Sequence, residues 1–330
     1  MASRKDVASF PWGEQLPLIG RRGDIEALRL ALDDAFEGKG STIFLTGESG
    51  VGKTRLLNAL HSEAVAHGFS VGIGRAFAVE SRSPYGVIAD ALVPMLNLID
   101  ESSLTVLARG MESDLHALLP GLAARRAATE QVGKDPDLRA RLHWNFVQFV
   151  KRLTARRPLV LAFENAQWCD PSSLELIHFL ARQVRESPIL LLVTYSVDDA
   201  DAGVGLRKIE RSLTSMREAS VRRLDPLTQP DVAELLQRIF GMQRESAELQ
   251  ATAVHRHTRG NAFFVEETLK ALIGDGRFRK VDDRWVAGDL TELALPPTVR
   301  DAVAARLTSL SDGARRVAEI AAVVGTPALL

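Results

Sequence analysis

The stretch Gly47-Glu48-Ser49-Gly50-Val51-Gly52-Lys53-Thr54 leaves this chain few folds to choose from. It follows the apolar run Thr42-Ile43-Phe44-Leu45 and opens a helical pattern, so the order is strand, glycine-rich loop, helix. Glycines let the backbone curl and aim several N–H groups at one phosphate, and a helix start adds a dipole that favours an anion. Lys53 supplies a point charge for β- and γ-phosphates, and the Thr54 hydroxyl suits a Mg²⁺ shell. Arg55 follows directly and counts with the loop as a cofactor-binding candidate. A plain glycine-rich turn with a surface lysine gives no reason for this spacing between a strand and a helix. The segment is a P-loop.

The pattern around it alternates. A helix is predicted over 24–36, with Ile25, Leu28, Leu32 and Phe36 on one face and Gly38 and Gly40 closing it. A strand over 41–45 leads into the loop, and the helix over 53–67 turns Leu56, Leu57, Leu60 and Ala64 inward. After a strand over 70–75 the chain is helical to about residue 157, with helices over 87–99, 111–124 and 138–153 and an exposed loop over 125–137. Strands over 158–163, 189–194 and 220–224 alternate with helices over 171–184 and 205–216. The strands are continuous apolar runs, as in strands buried on both sides, which predicts an α/β fold with a parallel sheet covered by helices on both faces. Beyond Pro226 strand signals nearly stop: helices are predicted over 230–240, 246–256, 264–273 and 299–310, with a short hairpin over 278–286. The expected organisation is an arm over 1–17, a nucleotide-binding domain over 18–225, a helical lid over 226–290 and the start of a further helical domain over 291–330.

Charge and cysteine usage narrow the function. The net charge is −1, so no global field draws the chain to nucleic acid or a membrane. A single cysteine, Cys169, rules out an internal disulfide framework and a multi-thiolate metal cluster. No apolar run reaches membrane-spanning length and residues 1–10 lack a signal-peptide core, so a cytoplasmic protein is expected. The apolar close over 323–330 predicts a natural chain that continues into sensor and output domains.

A P-loop calls for an acid at the end of a neighbouring strand to hold Mg²⁺. Glu164 directly follows a buried-looking apolar run and is the candidate. The next position, where a hydrolase carries a second carboxylate to orient or deprotonate water, is Asn165. An amide cannot take the water's proton, so the pair suits binding better than fast hydrolysis.

Five spaced segments carry a resemblance. Ile19-Gly20-Arg21-Arg22 before the P-loop, Glu164-Asn165-Ala166-Gln167-Trp168-Cys169-Asp170-Pro171, Thr194-Tyr195, Gly260-Asn261-Ala262-Phe263-Phe264 and Leu295-Pro296-Pro297 stand in this order. The series resembles the ATPase region of large LuxR-type transcriptional regulators, in the STAND branch of AAA+ proteins near the origin-recognition-like ATPases. The resemblance implies that Leu18, Ile19, Gly20 and Arg21 line an adenine pocket, with Pro226 touching the base from a lid. It also implies a winged-helix domain beginning near residue 296, and ATP or ADP with Mg²⁺ as the cofactor. Self-association or partner proteins would engage through domains absent from this chain.

Three positions depart from that family. Asn165 stands where a second acid is usual, Ser196 where an arginine senses the γ-phosphate, and Ala262 where proline is usual. The first two fall on the machinery that cleaves or senses the γ-phosphate, so a nucleotide-dependent conformational switch with weak or no hydrolysis is expected. A working ATPase is the first alternative and a DNA-binding, loader-type ATPase the second. Cys169 has no partnered base and reads as an inert thiol; His255 and His257 fall on different faces of one helix, unlike metal ligands. The basic residues Arg207, Lys208, Arg211, Arg217, Arg222 and Arg223 read as a solvated face, from which no single trans-acting arginine stands out.

Overall fold

A computed structural model describes residues 11, 13, 16–80, 84–119, 136–198, 203–281, 284–288, 290, 313, 315–318 and 320. The chain divides into two compact units, Arg21–Asp225 and a second made of Met1–Gly20 with Pro226–Leu330. Residues 18–20 therefore group with the later helices.

In the first unit, α1 (Arg22–Phe36) leads to β1 (Ser41–Gly47), the P-loop and α2 (Lys53–Ala66). Then come β2 (Ser70–Arg75), α3 (Gly86–Leu96), α4 (Glu101–Ala108), α5 (Glu112–Leu118) and α6 (Pro136–Leu153). The unit closes with β3 (Leu159–Glu164), α7 (Pro171–Ala181), β4 (Ile189–Ser196), α8 (Val204–Ser215) and β5 (Ser220–Arg223). The five strands form one sheet in the order β2-β3-β4-β1-β5, all parallel. Every residue of β3 is buried, as is β4 up to Tyr195. Successive strand residues point to opposite faces, so both faces of the central sheet are covered. This is the predicted α/β arrangement.

The inward residues predicted for α2 (Leu56, Leu57, Leu60, Ala64) and for α6 (Leu142, Phe146, Phe149, Val150) are all buried. Phe36 is not: it is 64% exposed at the end of α1, its ring 6.2 Å from that of Phe69. The last helical turn runs past the core, and the periodicity alone did not reveal where that happens. The helix α4 lies within the stretch expected to be helical, although no helix over 101–108 was assigned by itself. Asp100 sets its start: the side chain accepts the Ser103 backbone N–H at 2.9 Å and caps the helix. The expected loop over 125–137 falls outside the described residues up to 135, while 136 and 137 open α6.

The second unit holds α9 (Gln229–Phe240), α10 (Arg244–Thr258), α11 (Ala262–Gly274) and an antiparallel hairpin of β6 (Phe278–Val281) and β7 (Arg284–Ala287). Leu16 and Ile19 are buried in its core with Leu227, Val232, Leu236, Val265 and Leu269. Gly20 has φ +69°, and a Cβ there would meet the Asp231 carboxyl carbon at 2.6 Å, so only glycine fits against α9. Asp231 in turn completes a capping box with Thr228 at the α9 start. Of residues 291–330 only 313, 315–318 and 320 are described, all helical, and the expected winged-helix start lies outside them.

Candidate nucleotide site

The loop takes the curled form that its glycines permit. Gly47, Gly50 and Gly52 have φ of 153°, 82° and 110°, all in the range that side chains with a Cβ avoid. Gly47 is also crowded: a Cβ there would lie 2.7 Å from the Leu224 carbonyl oxygen. Val51 is fully buried beneath the loop, whereas Glu48, Ser49, Gly50 and Thr54 face solvent and Arg55 is half-buried. Arg21, 6% exposed, donates from Nη2 to the Val51 carbonyl at 2.9 Å. A buried guanidinium thus holds the loop from below, steadied by Asp24, which also meets Arg222 at 3.3 Å.

Lys53 is buried and its ammonium donates to Gly47 O, Glu48 O and Ser196 Oγ, each at 2.9 Å. Those acceptors are neutral. A phosphate offers the same donors anionic oxygens, which form stronger, charge-assisted bonds.

Glu164 ends β3, two strands from β1, because β4 lies between them. Two strand spacings are about 10 Å, a separation that suits an acid reaching a cation through its water shell. The carboxylate is 2% exposed; Oε2 accepts from Arg75 Nε at 2.5 Å, and the buried Oε1 has no hydrogen-bond partner among the described residues. An orphaned carboxylate oxygen at this strand end fits a hydrated Mg²⁺, as the crowded, curled loop fits a polyphosphate. Such a cation would screen phosphate charge, with Thr54 and Glu164 the residues that would hold it.

Asn165 stands in the left-handed region at φ 55°, which asparagine tolerates better than most residues. Its backbone N–H reaches Thr194 Oγ1 at 3.4 Å. The segment that follows is built to support β4 and α7. Gln167 Oε1 accepts the Ser196 N–H at 3.3 Å, and Asp170 caps α7 by accepting the Ser173 N–H at 3.0 Å, with Pro171 at the first helical position. Burial pushes the Cys169 thiol up to about 12, with the neighbouring Asp170 charge adding to the rise, as expected of an inert cysteine.

The last three residues of β4 each carry a hydroxyl with a different partner. Thr194 meets Asn165, Tyr195 donates to Glu210 of α8 at 2.6 Å, and Ser196 accepts from Lys53.

The structure thus brings the loop, Lys53, Ser196 and Asp198 together, and holds Arg21 under the loop through Val51. Leu18, Ile19, Gly20 and Pro226 belong to the other unit. Two residues were missed by the sequence. Arg75 pairs with Glu164 across the β2–β3 register, which needs the strand order to be known. Asp198 accepts the Ser49 N–H at 2.7 Å, and an acid shortly after an apolar strand was the only available signal.

A parallel sheet in this order, with the glycine-rich loop between β1 and α2, defines a P-loop nucleotide-binding fold. The chain belongs to the AAA ATPase domain family, whose model matches residues 17–193. A curated relative, an uncharacterized protein of Rhizobium meliloti, is 26% identical over 223 residues, or 60% of this chain, and this chain spans 21% of that relative's length. Among solved structures, a Walker-type ATPase of Pyrococcus abyssi is 14% identical with a TM-score of 0.47, covering 81% of this chain and 72% of its own. The Aeropyrum pernix Orc1 protein in complex with DNA is 16% identical with a TM-score of 0.47, covering 92% of this chain and 73% of its own. No helix among the described residues is long and apolar enough to cross a membrane.

Proposed function

We propose that this chain is the nucleotide-binding module of a LuxR-type STAND regulator, holding ATP or ADP with Mg²⁺ and working as a conformational switch in the cytoplasm with little or no hydrolysis. The observation that carries the reading is the contrast between a complete loop and an incomplete hydrolytic pair. Lys53 and the curled glycines are in place, whereas an amide, Asn165, follows Glu164 and Arg75 occupies one of the Glu164 oxygens. The side chain next to Glu164 in sequence is an amide, which takes no proton from attacking water. Exchange of ATP for ADP then changes what the loop and the tip of β4 hold. Self-association or a protein partner would act through further domains; the much greater length of the Rhizobium relative is a precedent for them.

Nucleotide extracted from purified protein, with steady-state phosphate release measured alongside, tests the reading. Bound ADP or ATP without sustained release is expected; repeated turnover abolished by Glu164→Ala would replace the switch with a working ATPase.

A further inference from the structure

We propose that Asp198 sets the phosphate preference of this site, favouring a nucleoside diphosphate over the triphosphate. The proposal rests on the reading of the loop as a nucleotide site and adds a charge to it that the loop motif does not contain.

The position of Asp198 is fixed by the sheet. Ser196 is in register with Gly47, and the next residue, Val197, donates its N–H to Gly47 O at 3.3 Å, extending the β1–β4 pairing by one bond. One residue further on, Asp198 Oδ2 accepts the N–H of Ser49 at 2.7 Å. A carboxylate therefore takes a backbone donor of the very loop whose donors are arrayed for phosphate. It also lies at the lysine end of the loop: Lys53 Nζ contacts Glu48 O, adjacent to Ser49, and Ser196 Oγ, two residues before Asp198. That end serves the β- and γ-phosphates.

A diphosphate leaves the terminal position empty and coexists with the carboxylate. A triphosphate brings further negative charge beside it, and must either meet that repulsion or displace the Asp198–Ser49 contact. Both routes cost the triphosphate more than the diphosphate. Because Asp198 is exposed, salt screens the effect.

Calorimetry on wild type and on Asp198→Asn, with ADP and with a non-hydrolysable ATP analogue at low and high salt, is the test. Asp198→Asn is expected to raise affinity for the triphosphate analogue roughly tenfold at low salt, with ADP changed less than about twofold and the gain shrinking at high salt. Asp198→Ser should behave alike, since the exposed side chain supports no core. An unchanged ratio of the two affinities, or weaker triphosphate binding in the presence of Mg²⁺, overturns the role of Asp198 alone. Failure of wild type to bind either nucleotide overturns the nucleotide reading itself.

Discussion

The Lys53 ammonium donates to Ser196 Oγ at 2.9 Å, so the loop cation is tied to the tip of β4 by a hydroxyl. The residue expected to grip phosphate and the position expected to sense it are thus in direct contact. Removing the cation and removing the hydroxyl should have unequal effects. Lys53→Ala is expected to weaken ATP and ADP binding by about ten- to a hundredfold, the worth of a hydrogen bond to a charged group. Ser196→Ala should stay within about threefold of wild type, because Lys53 keeps its two carbonyl acceptors. Isothermal titration with each nucleotide compares them; equal losses would show that the hydroxyl is as essential as the charge.

Asn165→Asp should restore the second acid at little structural cost. The backbone there is left-handed at φ 55°, a conformation that aspartate also visits. Steady-state phosphate release is expected to rise at least about tenfold, a conservative share of what a positioned base contributes. A further rise with Ser196→Arg added would locate the remaining deficit at the tip of β4. No change in either variant would mean that turnover is limited elsewhere.

Neighbouring positions in the second unit should respond in opposite directions. Gly260 has φ +74°, and a Cβ there would meet the Leu227 carbonyl oxygen at 1.9 Å, so Gly260→Ala should cost at least about 2 kcal/mol. Ala262 is the first residue of α11, where an N–H has no helical acceptor, and Asn261 before it is extended at ψ 118°. Both conditions suit proline, and Ala262→Pro should stabilise by about 0.4–1 kcal/mol. Urea midpoints of the two variants measure this.

Acid should weaken the first unit through His143. Burial lowers its folded pKa below the ordinary value near 6.5; its ring lies 6.4 Å from Tyr85 and 5.8 Å from Phe179, and Nε2 has no hydrogen-bond partner among the described residues. A histidine with a lowered folded pKa binds its proton more readily when unfolded, so its neutral form favours folding at pH 7 and that advantage is lost as pH falls through and below about 6.5. Denaturation midpoints at pH 7.5 and 5.5 should differ less in His143→Phe, which keeps the ring and removes the titration. An equal drop in both proteins would assign the acid sensitivity to other groups.

The sheet was legible because buried parallel strands are continuous apolar runs, and Leu159–Glu164 and Ile189–Ser196 are of that kind. The loop was legible because its spacing follows from its chemistry. Less visible was whatever depended on neighbours distant in sequence. Arg75 looks like an ordinary strand-end cation until β2 is set beside β3, and Asp198 like loop solvation until β4 is set beside β1. The separate start of α4 was hidden inside a long helical-looking stretch, because it is set by one capping aspartate, Asp100.

The hydroxyls at the end of β4 make that strand tip a junction. Hydrogen bonds lose strength within a few tenths of an ångström, so a small advance or retreat of the tip is felt at the loop lysine, at the turn after β3 and on α8 together. None of those contacts carries a charge on the β4 side, and the ladder to β1 holds the tip in register with the start of the loop.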